Sequence, residues 1–136
     1  MVIDASMALA WVIERAQLVE AAQAEALLRS CGEEAWVVPP LWHLEVINAL
    51  VVAERRQVIG SGPSDRFLER LHALPIRTDM VPEAGCRQAV LTLARTWQLS
   101  AYDARYLELA QRLGGRLASF DRRLRSAAEK LDLAWT

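Results

Sequence analysis

The sequence is poor in the features that mark secreted, zinc-binding or membrane-spanning proteins. It has two cysteines in 136 residues, Cys31 and Cys86, and neither belongs to a C-x-x-C pair or lies near a histidine cluster. We therefore expect free, partly buried thiols rather than a disulfide framework or a zinc site. No apolar run approaches the roughly 20 residues that span a bilayer, and the N-terminus lacks the basic region of a signal peptide. A cytoplasmic protein with no membrane segment is expected.

Lysine is almost absent, and the chain carries no overall positive charge. The net charge is −1 and Lys130 is the only lysine, so no global basic field indicates nucleic acid. Arginines nevertheless crowd the C-terminal third, where they fit either a track for RNA phosphates or a solvated helix face with salt bridges. These arginines are Arg105, Arg112, Arg116, Arg122, Arg123 and Arg125.

Short apolar runs alternate with helical segments along a chain of one-domain length. The composition, 53% hydrophobic and 24% charged, is that of an ordinary globular protein. Four runs are typical of buried strands, "MVID", "AWVVPP", "PIRTD" and "RLASF", and "DLAWT" is a candidate fifth. The clearest break is "GSGPS", with Ser64 as the expected N-cap of the next helix. This order predicts a single α/β/α domain over residues 1–136, with a parallel sheet of about five strands flanked by helices.

Four acidic residues are expected at one edge of this sheet. In an open α/β sheet the functional site lies outside the carboxyl ends of the strands, where the strand order reverses. Asp4 ends the first strand, and Asp121 directly follows the fourth. Asp103 opens the helix that leads into the fourth strand, and Glu45 lies about one turn into the helix after the second.

Each aspartate also has a plain structural interpretation. Asp121 fits the N-cap of the last helix, and Asp4 with Ser6 fits the start of the first. Ser100 and Asp103 fit an S-x-x-D capping box, in which Asp103 reaches back to the first backbone amides. For each aspartate taken singly, the capping role is the commoner one.

Glu45 has no capping role, because it lies past the first turn of an otherwise apolar helix, "LWHLEVINAL". Asn48 shares its face of that helix. A buried carboxylate without a partner is costly, so Glu45 either pairs with an arginine or joins the aspartates around a cation. Four clustered carboxylates would raise one another's pKa unless a positive charge lies among them. Oxygen ligands without histidine or cysteine suit Mg²⁺ or Mn²⁺, and such ions promote phosphodiester hydrolysis.

Three ordered motifs carry a family resemblance over essentially the whole chain. "VIDASMALAW", "LWHLEVINAL" and "LSAYDARYLELAQRLGGRLASFDRRL" resemble the PIN-domain ribonucleases, and among them the VapC-type toxins of bacterial toxin–antitoxin pairs. The resemblance implies catalytic and metal-ligating roles for Asp4, Glu45, Asp103 and Asp121. It also implies that Ser6 lies near the metal site and that Asn48 supports Glu45.

The resemblance further implies an activity and partners. The activity is that of an endoribonuclease that needs Mg²⁺ or Mn²⁺. The expected partners are RNA, a second copy in a homodimer and a cognate VapB-like antitoxin. Two other functions stay open: a PIN-like module kept for binding, and an RNA-processing nuclease that is not a toxin. An aspartate-nucleophile phosphatase would need an acid where Ser6 stands, and a receiver domain would need a lysine late in the sheet, whereas Lys130 falls on a predicted helix.

Overall fold

A computed structural model describes residues 1–14, 16–32 and 35–135, in which four strands alternate with seven helices. The strands are β1 (Val2–Ile3), β2 (Trp36–Val38), β3 (Ile76–Thr78) and β4 (Leu117–Ala118). The helices are α1 (Ala5–Leu9), α2 (Leu18–Arg29), α3 (Leu41–Arg55), α4 (Ser61–Ala73), α5 (Glu83–Trp97), α6 (Ala101–Leu113) and α7 (Arg122–Lys130).

The sheet is parallel throughout, in the order β3-β2-β1-β4. Val2 of β1 lies opposite Val37 on one side and Leu117 on the other. The predicted fold class is therefore confirmed, with four strands in place of about five. Of the candidate fifth strand "DLAWT", Thr136 lies outside the described residues, and residues 132–135 contribute one parallel bridge, between Ala134 and Leu117, instead of a strand.

The core lies between the central strands and the helices that cover them. Both residues of β1 are fully buried, and seven consecutive residues of α6, from Ala104 to Ala110, are buried as well. Helix α6 contacts β1, β4, α5 and α7. Trp36 of β2 is fully buried, and Trp11 stacks on it with ring centroids 5.5 Å apart. The predicted apolar strand runs thus contribute to the core on which α6 packs.

The start of helix α4 differs from the predicted one. Helix α4 begins at Ser61, inside the predicted break, with Gly60 at its N-cap. The predicted cap, Ser64, is buried within the helix, and its hydroxyl donates to the carbonyl of Gly60 at 3.1 Å. The prediction for Ser64 was wrong because a proline is tolerated in the first turn of a helix, so Pro63 does not break it.

The parallel arrangement places every strand's carboxyl end at one edge of the sheet. The strand order reverses between β1 and β4, the point at which open α/β sheets place their sites. Among the described residues, no helix is long and apolar enough to cross a membrane.

Candidate functional site

Asp4 lies at the reversal point, at the carboxyl end of β1, and is 5% exposed. Its Oδ1 accepts hydrogen bonds from the Ser6 hydroxyl at 2.7 Å and the Met7 amide at 3.0 Å, so it also caps α1. Its Oδ2 accepts a hydrogen bond from the Ser119 hydroxyl. Burial raises the pKa of Asp4 and the negative charge of Asp121 raises it further, although the three hydrogen bonds favour the ionised form.

Two serine hydroxyls join Asp4 to the loop between β4 and α7. The Ser6 hydroxyl, which donates to Asp4, accepts the Phe120 amide at 2.9 Å. The Ser119 hydroxyl, which also donates to Asp4, accepts the Asp121 amide at 2.9 Å. Asp121 is therefore held beside Asp4 across the strand reversal, and Ser6 contacts both segments, while its place near a metal ion stays a prediction.

Capping and a place in the site turn out to be compatible. Asp121 caps α7, since its Oδ1 accepts the amides of Arg123 and Leu124, each at 2.9 Å. Ser100 caps α6 by accepting the Asp103 amide at 3.0 Å, and its hydroxyl donates to Oδ2 of Asp103 at 2.7 Å. The predicted capping box had Asp103 reaching back to the first backbone amides. In the structure the Asp103 side chain accepts the Ser100 hydroxyl instead. Both aspartates keep a carboxylate oxygen with no hydrogen-bond partner among the described residues.

Glu45 pairs with a tyrosine rather than with an arginine. It is half-buried on α3, and its Oε2 accepts a hydrogen bond from the hydroxyl of Tyr106 on α6. Burial raises the pKa of Glu45, the bond from Tyr106 opposes this rise, and the negative charges of Asp4 and Asp103 add to it. In the described part of the chain, Glu45 forms no salt bridge.

The four carboxylates lie close enough to influence one another. Asp4 feels the charge of Asp121, and Glu45 feels the charges of Asp4 and Asp103. None of the four forms an ion pair with an arginine or a lysine of the described residues. The fold therefore brings together acids from four separate segments and leaves their negative charge uncompensated by protein cations.

The donor chemistry fits a hard divalent cation. Every group is a carboxylate, and Mg²⁺ and Mn²⁺ favour oxygen ligands and retain several waters. Oε1 of Glu45, Oδ1 of Asp103 and Oδ2 of Asp121 accept no hydrogen bond from the described residues. Nevertheless, no three His, Cys, Asp or Glu side chains within the described ranges are arranged as a ready metal cage. Each carboxylate is instead held by a donor of its own, as expected of like charges that repel one another.

Three further side chains lie around this site. Asn48 is exposed on α3, and no hydrogen bond joins it to Glu45, so its supporting role stays a prediction. His43 is exposed, and its Nε2 lies 2.8 Å from the Thr78 hydroxyl. Tyr102 is 65% exposed and directly precedes Asp103.

Sequence reasoning missed Ser119 and Tyr106. Ser119 stands two residues before Asp121, and the fully buried Tyr106 stands three residues after Asp103. For Tyr106 the spacing was a signal, because residues three apart on a helix share a face and Tyr106 stands three residues after Asp103. The sequence did not reveal their partners, since the two hydrogen bonds span 61 and 115 residues.

Two of the C-terminal arginines, Arg105 and Arg112, pair with the same two acids. Arg105 is 2% exposed and bonds to Asp79 and Glu108, each at 2.7 Å. Arg112 bonds to the same two acids at 2.6 and 2.7 Å. These arginines are therefore part of a structural ion network, whereas three others are exposed and have no ion pair among the described residues. Those three are Arg116, Arg122 and Arg123.

An apolar groove of about 550 Å³ lies beside the acids, between the first turns of α3 and α6 and one face of α5. Leu44, next to Glu45, is 71% exposed on its wall, and Tyr102, next to Asp103, forms part of the same wall. Leu91 of α5 is 42% exposed on the opposite side. Arg87 also lines the groove. A large exposed apolar surface of this kind marks a contact with another molecule.

Comparison with known proteins agrees with this architecture. The family model of the PIN domain matches residues 1–130. The crystal structure of PAE2754 from Pyrobaculum aerophilum superimposes with a TM-score of 0.68 at 24% sequence identity, covering 93% of this chain and 77% of that one. No curated protein matches the chain. PIN domains are in general metal-dependent nucleases, which supports a nuclease function here. The chain belongs to the PIN-domain family.

Proposed function

We propose that this protein is an endoribonuclease that uses Mg²⁺ or Mn²⁺ to hydrolyse RNA phosphodiester bonds, and that it is the toxin of a type II toxin–antitoxin pair. The observation that carries the nuclease proposal is the grouping of four carboxylates around the strand reversal, where none of them pairs with an arginine or lysine of the described residues. Retaining such a group costs stability, so a purely structural role is a poor explanation for it.

In this proposal the four acids would hold the metal ion. Asp103 and Asp121 would supply the oxygens that accept no hydrogen bond from the described residues, and Asp4 would ligate through an oxygen that also accepts a serine hydroxyl. Glu45 would either ligate the ion or hold a water beside it. When bound, the ion polarises the phosphate and lowers the pKa of the attacking water. Ser6 and the neighbouring Ser119 keep the Asp4 carboxylate oriented.

The substrate is expected to reach the site along exposed cationic surface. Arg122 and Arg123 directly follow Asp121, and both are exposed. Guanidinium groups bind phosphate through paired hydrogen bonds, so these two arginines are suited to the RNA backbone beside the scissile bond. Arg105 and Arg112 already pair with Asp79 and Glu108 and are not available for this purpose.

The proposed protein partners are a second copy of the chain and a small VapB-like antitoxin. The apolar groove supports a protein contact, because its wall of leucine, valine and alanine side chains resembles the core of an interface more than a nucleic-acid track. Sedimentation equilibrium of the purified protein measures its assembly, and a monomer at every concentration would contradict the homodimer. A toxin gene is also expected beside a short antitoxin gene, whereas an RNA-processing nuclease is not.

The deciding experiment compares the wild type with Asp103→Asn. Asparagine keeps the contact with Ser100 but lacks the charge that a metal ligand needs. Asp132→Asn is the matched control, since Asp132 is exposed, lies outside the site and has a positive φ of 55° that asparagine tolerates. Each protein, purified free of antitoxin, is incubated with total cellular RNA and Mg²⁺ or Mn²⁺, and new RNA ends are mapped by sequencing.

We expect discrete cuts from the wild type and Asp132→Asn, and none from Asp103→Asn or with EDTA. A loss of at least about 100-fold in cleavage rate is expected for a lost catalytic group. All three proteins should melt at similar temperatures. If the wild type makes no metal-dependent cut, the nuclease proposal fails and a PIN-like binding module becomes the better explanation.

A further inference from the structure

Tyr106 connects the two helices that carry acids of the site. It lies on α6, three residues after Asp103, and its hydroxyl donates to Oε2 of Glu45 on α3. Among the described residues, this is the one hydrogen bond that the Glu45 carboxylate receives. Because residues three apart on a helix are neighbours, one turn of α6 presents both a site carboxylate and the donor that holds another carboxylate.

The tyrosine itself has little freedom to move. Tyr106 is 1% exposed, and its ring lies among the core residues of α6 and the sheet. A rigid aromatic side chain with a buried ring places its hydroxyl at a fixed height above the helix axis. The position of the donor is therefore set by core packing rather than by the flexible glutamate that accepts its bond.

The hydrogen bond has one possible direction. The phenol has a single proton, and the structure gives it to Oε2 of Glu45. Asp4 and Asp103 receive hydrogen bonds from serine hydroxyls instead.

We propose that Tyr106 is a positioning residue, which fixes Oε2 of Glu45 by its hydrogen bond and so leaves Oε1 turned toward the metal site at a set distance from Asp103. The inference rests on the proposed function, because the ion that this arrangement prepares for is the proposed Mg²⁺ or Mn²⁺. A donor that orients a metal ligand raises metal affinity, and its loss typically costs about 10- to 100-fold in affinity or activity.

The test replaces the hydroxyl alone. Tyr106→Phe keeps the ring and removes the donor, and Thr96→Val is the matched control, because it also removes one hydroxyl. Thr96 is exposed on α5, outside the site and the groove, and its hydroxyl donates to the carbonyl of Thr92 in the same helix. Mn²⁺ binding to each protein is measured without RNA from the electron paramagnetic resonance signal of the unbound ion. Thermal melts in EDTA verify the fold, and cleavage rates are measured over a range of Mn²⁺ concentrations.

We expect Tyr106→Phe to bind Mn²⁺ about 10-fold more weakly than the wild type, and to need correspondingly more Mn²⁺ for half-maximal cleavage. Thr96→Val should match the wild type in both Mn²⁺ affinity and Mn²⁺ requirement. Equal Mn²⁺ affinity in all three proteins overturns the positioning role while the nuclease proposal stands. An affinity loss in Tyr106→Phe without any RNA cleavage by the wild type supports the positioning role and overturns the nuclease. No Mn²⁺ binding by the wild type overturns both.

Discussion

Glu45 is the residue at which the demands of folding and of function conflict. Its burial and the charges of Asp4 and Asp103 raise its pKa, so the ionised form that a metal ligand needs is disfavoured in the fold. The bond from Tyr106 offsets part of this cost. A carboxylate in such surroundings lowers the stability of the metal-free protein near neutral pH and restores it when a cation binds.

Glu45→Gln is accordingly expected to stabilise the metal-free protein while it lowers activity. Glutamine keeps a carbonyl oxygen for the Tyr106 hydroxyl and removes the charge that is repelled by Asp4. In EDTA at pH 7.5 we expect a melting temperature about 4 °C higher, the shift that roughly 1 kcal/mol gives a domain of this size. Mg²⁺ should raise the melting temperature of the wild type more than that of the variant.

Glu69→Gln provides the control, because Glu69 is exposed on α4 and has no ion pair among the described residues. Glu69→Gln should have the same melting temperature as the wild type in EDTA, and Mg²⁺ should raise the melting temperature of both by the same amount. Differential scanning calorimetry of the three proteins with EDTA and with Mg²⁺ makes the comparison. A lower melting temperature for Glu45→Gln than for the wild type in EDTA would mean that the ionised carboxylate stabilises the metal-free fold, and it would contradict this prediction.

At the scale of helices and strands, the site depends on helix starts. Three of the four acids lie within one turn of a helix N-terminus, and Asp4 and Asp121 are themselves N-caps. An N-cap accepts backbone amides through one carboxylate oxygen. The second oxygen of Asp121 accepts no hydrogen bond from the described residues, whereas that of Asp4 accepts the Ser119 hydroxyl. Each side chain thereby both starts a helix and contributes to the candidate site.

Substitution of Asp121 separates these two roles. Asp121→Asn keeps an oxygen for the amides of Arg123 and Leu124, so its stability should stay within about 0.5 kcal/mol of the wild type. Asp121→Ala loses the cap of α7 and should be about 1 kcal/mol less stable. Both variants should lose RNA cleavage, because both lack the charge. Urea unfolding and the mapped-cleavage assay give the two quantities.

Cleavage by Asp121→Asn at the wild-type rate would leave this aspartate with capping alone. A stability loss in Asp121→Asn equal to that of the alanine variant would show that the charge, and not the hydrogen bonds, stabilises the start of α7.

Local patterns predicted the elements well and their contacts poorly. The alternating apolar runs predicted β1 to β4, and the strand ends predicted where Asp4 and Asp121 lie, because both features depend on neighbours in sequence. The predicted start of α4 was wrong, because Pro63 is tolerated in the first turn of a helix. The Tyr106 bond to Glu45 and the Ser119 bond to Asp4 depend on which distant segments pack together, and hydrophobic periodicity does not specify that.

At the scale of the whole molecule, two sets of buried charges respond oppositely to pH. In the ion network, burial alone would raise the pKa of Asp79, but the hydrogen bonds from Arg112 and Arg105 outweigh it and hold the pKa below the usual 3.8. The network ties the segment after β3 to α6, so its stabilisation is global. The site acids Asp4 and Glu45 have raised pKa values instead.

The directions of these pKa shifts predict that the metal-free protein is most stable at mildly acidic pH. Because Asp4 and Glu45 bind protons more readily when folded, their protonation stabilises the fold as the pH falls from neutral toward 4.5, the ordinary pKa of Glu45. Asp79 binds protons less readily when folded. Its contribution is complete above pH 3.8 and is lost as the pH falls through its lowered pKa. We therefore expect the maximum at about pH 4–5.

Asp79→Asn tests the acidic side of this profile. The variant leaves Arg105 and Arg112 with one fewer carboxylate in a buried network, so we expect it to be about 3 kcal/mol less stable at neutral pH. Its stability should fall less steeply than that of the wild type below pH 4, because the group that must be protonated there is gone. Urea unfolding between pH 3 and pH 8 in EDTA measures both slopes. Parallel profiles for the two proteins would mean that other carboxylates, and not Asp79, control acid unfolding.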